Sequence, residues 1–182
     1  IVQDAGQRGL KELGPLYLRA VDYVLTNFSL LETDQRFRTL AVIGDILHSR
    51  VFHSLSDLFQ RFGGKVLICG PKECLPQGIE GVEVTDSLDY ALSKADLIYT
   101  LRIQKERHQG VVPYYDTYSE KFGISLKKLK AGIPVFHPGP VNIGVELSLD
   151  VMRSPHYQGY LQVTNSIYMR MAIITAMIND GI

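Results

Sequence analysis

The chain has 182 residues, 46% of them hydrophobic, enough to bury one sizeable core. Its 19 basic and 19 acidic residues cancel, which excludes bulk electrostatic attraction to nucleic acid or to an anionic membrane. No apolar run approaches the roughly 20 residues of a membrane span, no signal peptide is visible, and the start at Ile1 rather than Met predicts a piece of a longer polypeptide.

Apolar residues at three- and four-residue steps (Leu10, Leu13, Leu16, Ala20, Val24, Phe28, Leu31) predict an amphipathic helix over 10–31. A polar connection, 33–38, leads to Thr39-Leu-Ala-Val-Ile43, a short apolar run stopped by Gly44 and therefore a strand ending in a turn. Residues 52–62 read as a helix closed by Gly63 and Gly64. A second strand at 65–69 ends at Gly70-Pro71, and 82–84 is a short third strand. Asp86 is the expected N-cap of a helix over 87–95, followed by a fourth strand over 96–101.

The Tyr-rich stretch 109–122 reads as a long irregular loop, and loops of that length are usually functional. A short helix at 125–131, a fifth strand at 133–136 and a last helix over 164–179 complete the chain. Strands alternating with helices predict an α/β fold: a three-layer, Rossmann-like parallel sheet with helices on both faces. The first and last helices have no place in that sandwich, and their apolar surfaces suit packing against another domain. The two cysteines, Cys69 and Cys74, show no second pair or nearby histidine to complete a metal site. Cys69 closes an apolar strand and reads as a buried small hydrophobe, which points to a cytoplasmic protein.

Three runs fall where parallel strands should end, the edge at which open α/β sheets bind ligands. Gly44-Asp-Ile-Leu-His-Ser-Arg50 is a strand, a turn and a helix start, but it has one glycine where a dinucleotide loop needs three. The second strand also ends without the expected acidic residue, so no nicotinamide cofactor is implied. Arg50 instead sits near a helix N-terminus, where main-chain N–H groups favour an anion and a guanidinium adds bidentate bonds to a carboxylate. A surface ion pair is its alternative role. In Leu101-Arg-Ile-Gln-Lys-Glu-Arg-His108, Arg102 and Gln104 share one side of an extended segment. Arg102 suits a second carboxylate and Gln104 offers both a donor and an acceptor, while the charges that follow read as a solvated face. His137-Pro-Gly-Pro140 is a tight bend in which two prolines remove N–H donors and leave carbonyls outward. Those carbonyls suit an ammonium or amine; the alternative is a rigid turn. His48 and His137 read as hydrogen-bonded structural groups, and no metal is implied. The set suits a small dicarboxylate amino acid.

Together these runs resemble the aspartate carbamoyltransferase family. Gly44-Asp-Ile-Leu-His-Ser-Arg50-Val resembles its G-D-x-x-H-S-R-V, residues 101–107 its L-R-x-Q-K-E-R, and Phe136-His-Pro-Gly-Pro-Val-Asn142 its M-H-P-G-P-V-N. Gln162-Val-Thr-Asn165 with Arg170-Met-Ala172 resembles the Q-V-T-N-G-V-x-x-R-M-A of its final helix. The sister ornithine enzymes carry H-C-L-P where this chain has His137-Pro-Gly-Pro140, which favours aspartate.

The resemblance covers the aspartate half of a two-domain enzyme whose active sites lie at the interfaces of a catalytic trimer. It implies that residues 1–182 are an aspartate-binding domain, with 1–35 and 162–180 as interdomain helices. By the same resemblance Arg50, Arg102, Gln104 and the carbonyls of Pro138 and Gly139 bind substrate, residues 109–122 close on it, and no cofactor is needed. Carbamoyl phosphate enters only if a partner domain supplies its site, so the chain alone is expected to be inactive and part of a homo- or hetero-oligomer, with no nucleic-acid or membrane partner. The S-T-R-T-R loop and the H-P-x-Q motif of the family are absent; in place of the latter stands Leu13-Gly-Pro-Leu-Tyr17, with only Pro15 in step. Ile143 replaces a common arginine and Leu47 a common lysine. These departures give a second expectation: a non-catalytic relative kept as a scaffold or regulatory partner.

Overall fold

The computed structural model describes residues 39–61, 63–103 and 115–180. The chain divides into two compact units, residues 36–159 and residues 1–35 with 160–182. The helix expected at 10–31 lies outside the described residues.

The first unit is built on strands β1 (Thr39–Ile43), β2 (Lys65–Cys69), β3 (Val82–Thr85), β4 (Leu97–Thr100) and β5 (Val135–Phe136). All neighbouring pairs run parallel, in the order β3-β2-β1-β4-β5. Strand order therefore reverses between β1 and β4, and the crevice beyond their carboxyl ends is the topological switch point of a doubly wound sheet. β1 and β2 are near-continuous apolar runs because both faces of the sheet are covered. Leu40, Val42, Val66, Ile68 and Tyr99 meet Phe52 of helix α1 (Phe52–Arg61) on one face. Ala41, Ile43, Leu67, Cys69 and Ile98 form the other with Leu88, Ala91 and Leu92 of α2 (Leu88–Lys94) and with Tyr118 and Phe122 of α3 (Tyr115–Phe122). The alternating parity of these residues is the period-two signature of strands buried on both sides.

Four expectations need correction. Residues 115–122, expected as irregular loop, are helix α3: Tyr118 and Phe122, four residues apart, stack one turn from each other with ring centroids 5.5 Å apart and bury into the core. The N-cap of α2 is Ser87, not Asp86; the Ser87 hydroxyl accepts the Tyr90 N–H at 3.3 Å. Residues 126–128 form a single 3-10 turn. β5 is only two residues long, and its outer edge is covered by the 156–158 segment, whose His156 carbonyl and Gln158 N–H bond Val135 at 2.8 Å each. A four-residue helix, α4 (Leu149–Met152), was not expected.

In the second unit, helix α5 (Gly159–Asp180) begins five residues before the expected start at 164. Tyr160, Val163, Ile167, Ile174 and Ile178 are exposed along it. Among the described residues no helix is long and apolar enough to cross a membrane.

The β1 turn depends on Gly44, whose φ of +132° is unfavourable for any residue with a side chain. A Cβ there would stand 3.0 Å from the Leu101 carbonyl oxygen of the adjacent strand end. Replacing Gly44 by Ala should therefore lower stability by about 2 kcal/mol, read as a lower urea midpoint with an unchanged denaturant slope.

Candidate functional site

Three of the predicted runs come together at the carboxyl edge of β1, β4 and β5, which are adjacent in the sheet. Arg50 lies just beyond β1, in the turn that enters α1, and is exposed. The Ser49 hydroxyl fixes that turn by accepting the Val51 and Phe52 N–H groups at 3.3 and 3.2 Å. Buried Asp45, in the same turn, has its Oδ1 2.8 Å from Nδ1 of His48 and accepts the His48 N–H at 3.3 Å. Arg102 follows β4 and is half-buried. Pro138 and Gly139 follow β5 and are exposed, and Gly139 turns the chain with a φ of +69°. Gln104 and residues 105–114 lie outside the described residues. Four of the five predicted binding residues thus belong to consecutive strand ends.

The group that ties these ends together is one the sequence reading missed. Glu146 is buried, yet its carboxylate accepts the Ile103 N–H (2.8 Å), the Asn142 side-chain N–H (2.7 Å) and the Asn142 main-chain N–H (2.7 Å). It therefore links the residue next to Arg102 with the residue that closes the β5 loop. Burial raises the Glu146 pKa, and the hydrogen bonds from Ile103 and Asn142 oppose that shift. His137 is buried beside it: Nδ1 accepts the Gly139 N–H at 2.8 Å, and Nε2 faces Glu146 Oε2 at 4.0 Å. Accepting at Nδ1 puts the ring proton on Nε2. Burial, and then the Arg102 charge, lower the His137 pKa to about 4, so the ring is neutral at physiological pH.

Both histidines are hydrogen-bonded, as the sequence reading held. Among the described residues no cluster of three His, Cys, Asp or Glu side chains could hold a metal. Cys69 and Cys74 are buried and form no disulfide. Burial, and then Asp86, push the Cys69 thiol up to about 12, which makes it a packing group. Two surface cavities, of about 450 and 300 Å³, lie apart from this edge, one beside α1 and one at the amino ends of the strands. The edge itself carries cations on two strand ends and carbonyl acceptors on a third.

Two outcomes follow from the buried pair. Glu146→Ala leaves the Ile103 N–H and both Asn142 donors unsatisfied and should cost about 3–5 kcal/mol in urea unfolding, against less for Glu146→Gln. Histidine in the unfolded chain takes a proton near 6.5, but folded His137 stays neutral to about 4. Its contribution is thus present above pH 6.5 and is lost as pH falls toward 4, by roughly 2–3 kcal/mol. Glu146, shifted upward, opposes part of this loss, since its own contribution grows toward low pH. Urea midpoints between pH 7 and 4.5 should fall more steeply for the wild type than for His137→Asn.

Comparison with known proteins agrees with this geometry. Residues 37–177 match the family model described as aspartate/ornithine carbamoyltransferase, Asp/Orn binding domain. The aspartate carbamoyltransferase catalytic subunit of Myxococcus xanthus is 41% identical over 143 residues, covering 75% of this chain and 48% of the relative. That of Pelotomaculum thermopropionicum is 39% identical over 166 residues, covering 87% and 54%. The catalytic subunit of M. jannaschii aspartate transcarbamoylase superposes with a TM-score of 0.69 at 27% identity, over 83% of this chain and 54% of that one. Trypanosoma cruzi aspartate transcarbamoylase in complex with carbamoyl phosphate and aspartate gives a TM-score of 0.63 at 28% identity, over 82% and 53%. The chain spans about half the length of the curated relatives it matches. With that match across the whole sheet and its ligand edge, the chain belongs to the aspartate/ornithine carbamoyltransferase family, as its Asp/Orn-binding domain.

Proposed function

We propose that this chain is the aspartate-binding half of an aspartate carbamoyltransferase acting in pyrimidine biosynthesis. The observation that carries this reading is the convergence of Arg50, Arg102 and the His137-Pro-Gly-Pro140 bend on three adjacent strand ends at the switch point of the sheet. Aspartate offers two carboxylates and one amine; two guanidinium groups suit the first and outward carbonyls of Pro138 and Gly139 suit the second. Gln104 assists as a donor and acceptor. The ornithine alternative fits less well, because a second ammonium would replace the carboxylate that an arginine serves.

In the reaction the aspartate amine attacks the carbamoyl carbon of carbamoyl phosphate. The new C–N bond forms, the bond from carbon to the phosphate oxygen breaks, phosphate leaves and the amine loses a proton. This chain's contribution is to bind and orient the amine. Donors for the phosphate and for the developing oxyanion come from a second half, with no cofactor. We further assign residues 1–35 and 162–180 to helices joining the two halves, in an oligomeric, cytoplasmic enzyme. No observation favours the scaffold reading.

The test is formation of carbamoyl-aspartate by the full-length protein that carries this chain. Arg102→Ala should weaken binding of aspartate or a dicarboxylate analogue by about 2–4 kcal/mol in calorimetry, because a charged partner is lost from the clamp. Unchanged affinity would reject the clamp.

A further inference from the structure

The carbonyls of Pro138 and Gly139 are useful to an amine only if they point the right way, and the bend that carries them is exposed. Prolines on both sides of Gly139 remove the N–H groups that would normally tie such a turn to its neighbours. Of the three residues Pro138, Gly139 and Pro140, only Gly139 has a main-chain donor, and that donor is used: it bonds Nδ1 of His137 at 2.8 Å. His137 itself is held by burial at the end of β5; its Nε2, 4.0 Å from Glu146 Oε2, makes no hydrogen bond. Glu146 in turn holds Ile103, the residue after Arg102, and Asn142, which follows the bend.

We propose that His137 is a positioning residue: it holds the Gly139 N–H, fixing the bend so that the Pro138 and Gly139 carbonyls face the substrate amine in register with Arg102. This rests on the aspartate reading above. The ring has two distinct edges. Nδ1 reads the bend, while Nε2–H lies 4.0 Å from Glu146 Oε2, beyond hydrogen-bond distance, so the hold on Gly139 is made through Nδ1 alone. The role requires a neutral ring, since a proton on Nδ1 would set donor against donor at Gly139. The low pKa imposed by burial and by Arg102 agrees with that requirement.

The two edges can be separated by substitution. Asn places its carbonyl oxygen near the position of Nδ1 and can still accept the Gly139 N–H. Gln reaches toward the position of Nε2 and fills more of the buried space, but presents nothing to Gly139. In the full-length protein, His137→Asn should keep aspartate affinity within about threefold, while His137→Gln should lose roughly tenfold, the scale of one hydrogen bond. A packing role would rank the two the other way. Deuterium exchange in overlapping peptides across the bend gives a second readout, since among Pro138, Gly139 and Pro140 only Gly139 carries an amide hydrogen. Exchange there should be slow in the wild type and in His137→Asn, and fast in His137→Gln. Equal affinities for the two variants, or equal exchange at Gly139 in wild type and His137→Gln, would overturn the role of His137. A wild-type protein that binds no aspartate would instead overturn the aspartate reading, and the exchange result alone would then decide whether His137 holds the bend.

Discussion

The buried Glu146 carboxylate is the interaction on which the ligand edge depends. A carboxylate removed from water is unfavourable unless hydrogen bonds replace its hydration. Here Ile103, 43 residues earlier in the chain, and Asn142 supply them. The local turn makes the arrangement possible: the Val145 and Glu146 N–H groups bond the Asn142 carbonyl at 3.0 and 3.3 Å, folding the carboxylate back toward the bend. A side chain carried by a tight loop thus joins the ends of β4 and β5 where the sheet ladder has stopped. Strand pairing alone brings these ends near one another; the carboxylate sets the separation between the Arg102 segment and the bend.

The chemistry of the edge follows from what each strand end lacks. β1 and β4 run into segments carrying guanidinium groups, which are donors only, while β5 runs into prolines, which are acceptors only. Donors and acceptors are therefore sorted by strand, and a ligand that binds across them must present anions to one side and a cation or amine to the other. Under the proposed function, such sorting would orient an amino acid without any group that changes charge. In the proposed reading it does nothing for a leaving phosphate, and catalysis then requires a second set of donors.

Much of the fold was legible because β1 and β2 each carry four consecutive apolar residues after one polar residue and stop at a glycine, and both strands begin and end where that pattern places them. β5 was overestimated because Pro134 has no N–H for a ladder, although its carbonyl still receives the Ile98 N–H at 3.0 Å. Helix α3 was hidden by its composition: Tyr, Asp, Thr and Ser are weak helix formers, and the burial of Tyr118 and Phe122 outweighs them. The arginines and the proline bend could be read because their chemistry is local. Glu146 could not, since its partner Ile103 is distant in sequence and a lone acidic residue in a loop resembles any solvated charge. The one available signal was Asn142, four residues earlier and inside the recognised motif.

The departures behind the scaffold reading are the Leu13-Gly-Pro-Leu-Tyr17 segment, which lies outside the described residues, and Ile143, with Leu47 a further departure. Leu47 and Ile143 are both exposed, at 52% and 56%, so neither disturbs the packing beneath the edge. Ile143 contributes its backbone to a short bridge with Leu147, a role indifferent to the side chain it bears. The Asn142–Glu146 turn closes around it through the Val145 and Glu146 N–H groups and the Glu146 carboxylate. A relative that had lost its ligand would have no reason to keep a buried carboxylate, a neutral histidine and an arginine in mutual register. That register imposes desolvation on Glu146 and His137 alike, and a scaffold could relieve it with apolar residues of similar volume. In the proposed aspartate reading, that register is what holds the edge in shape for a ligand.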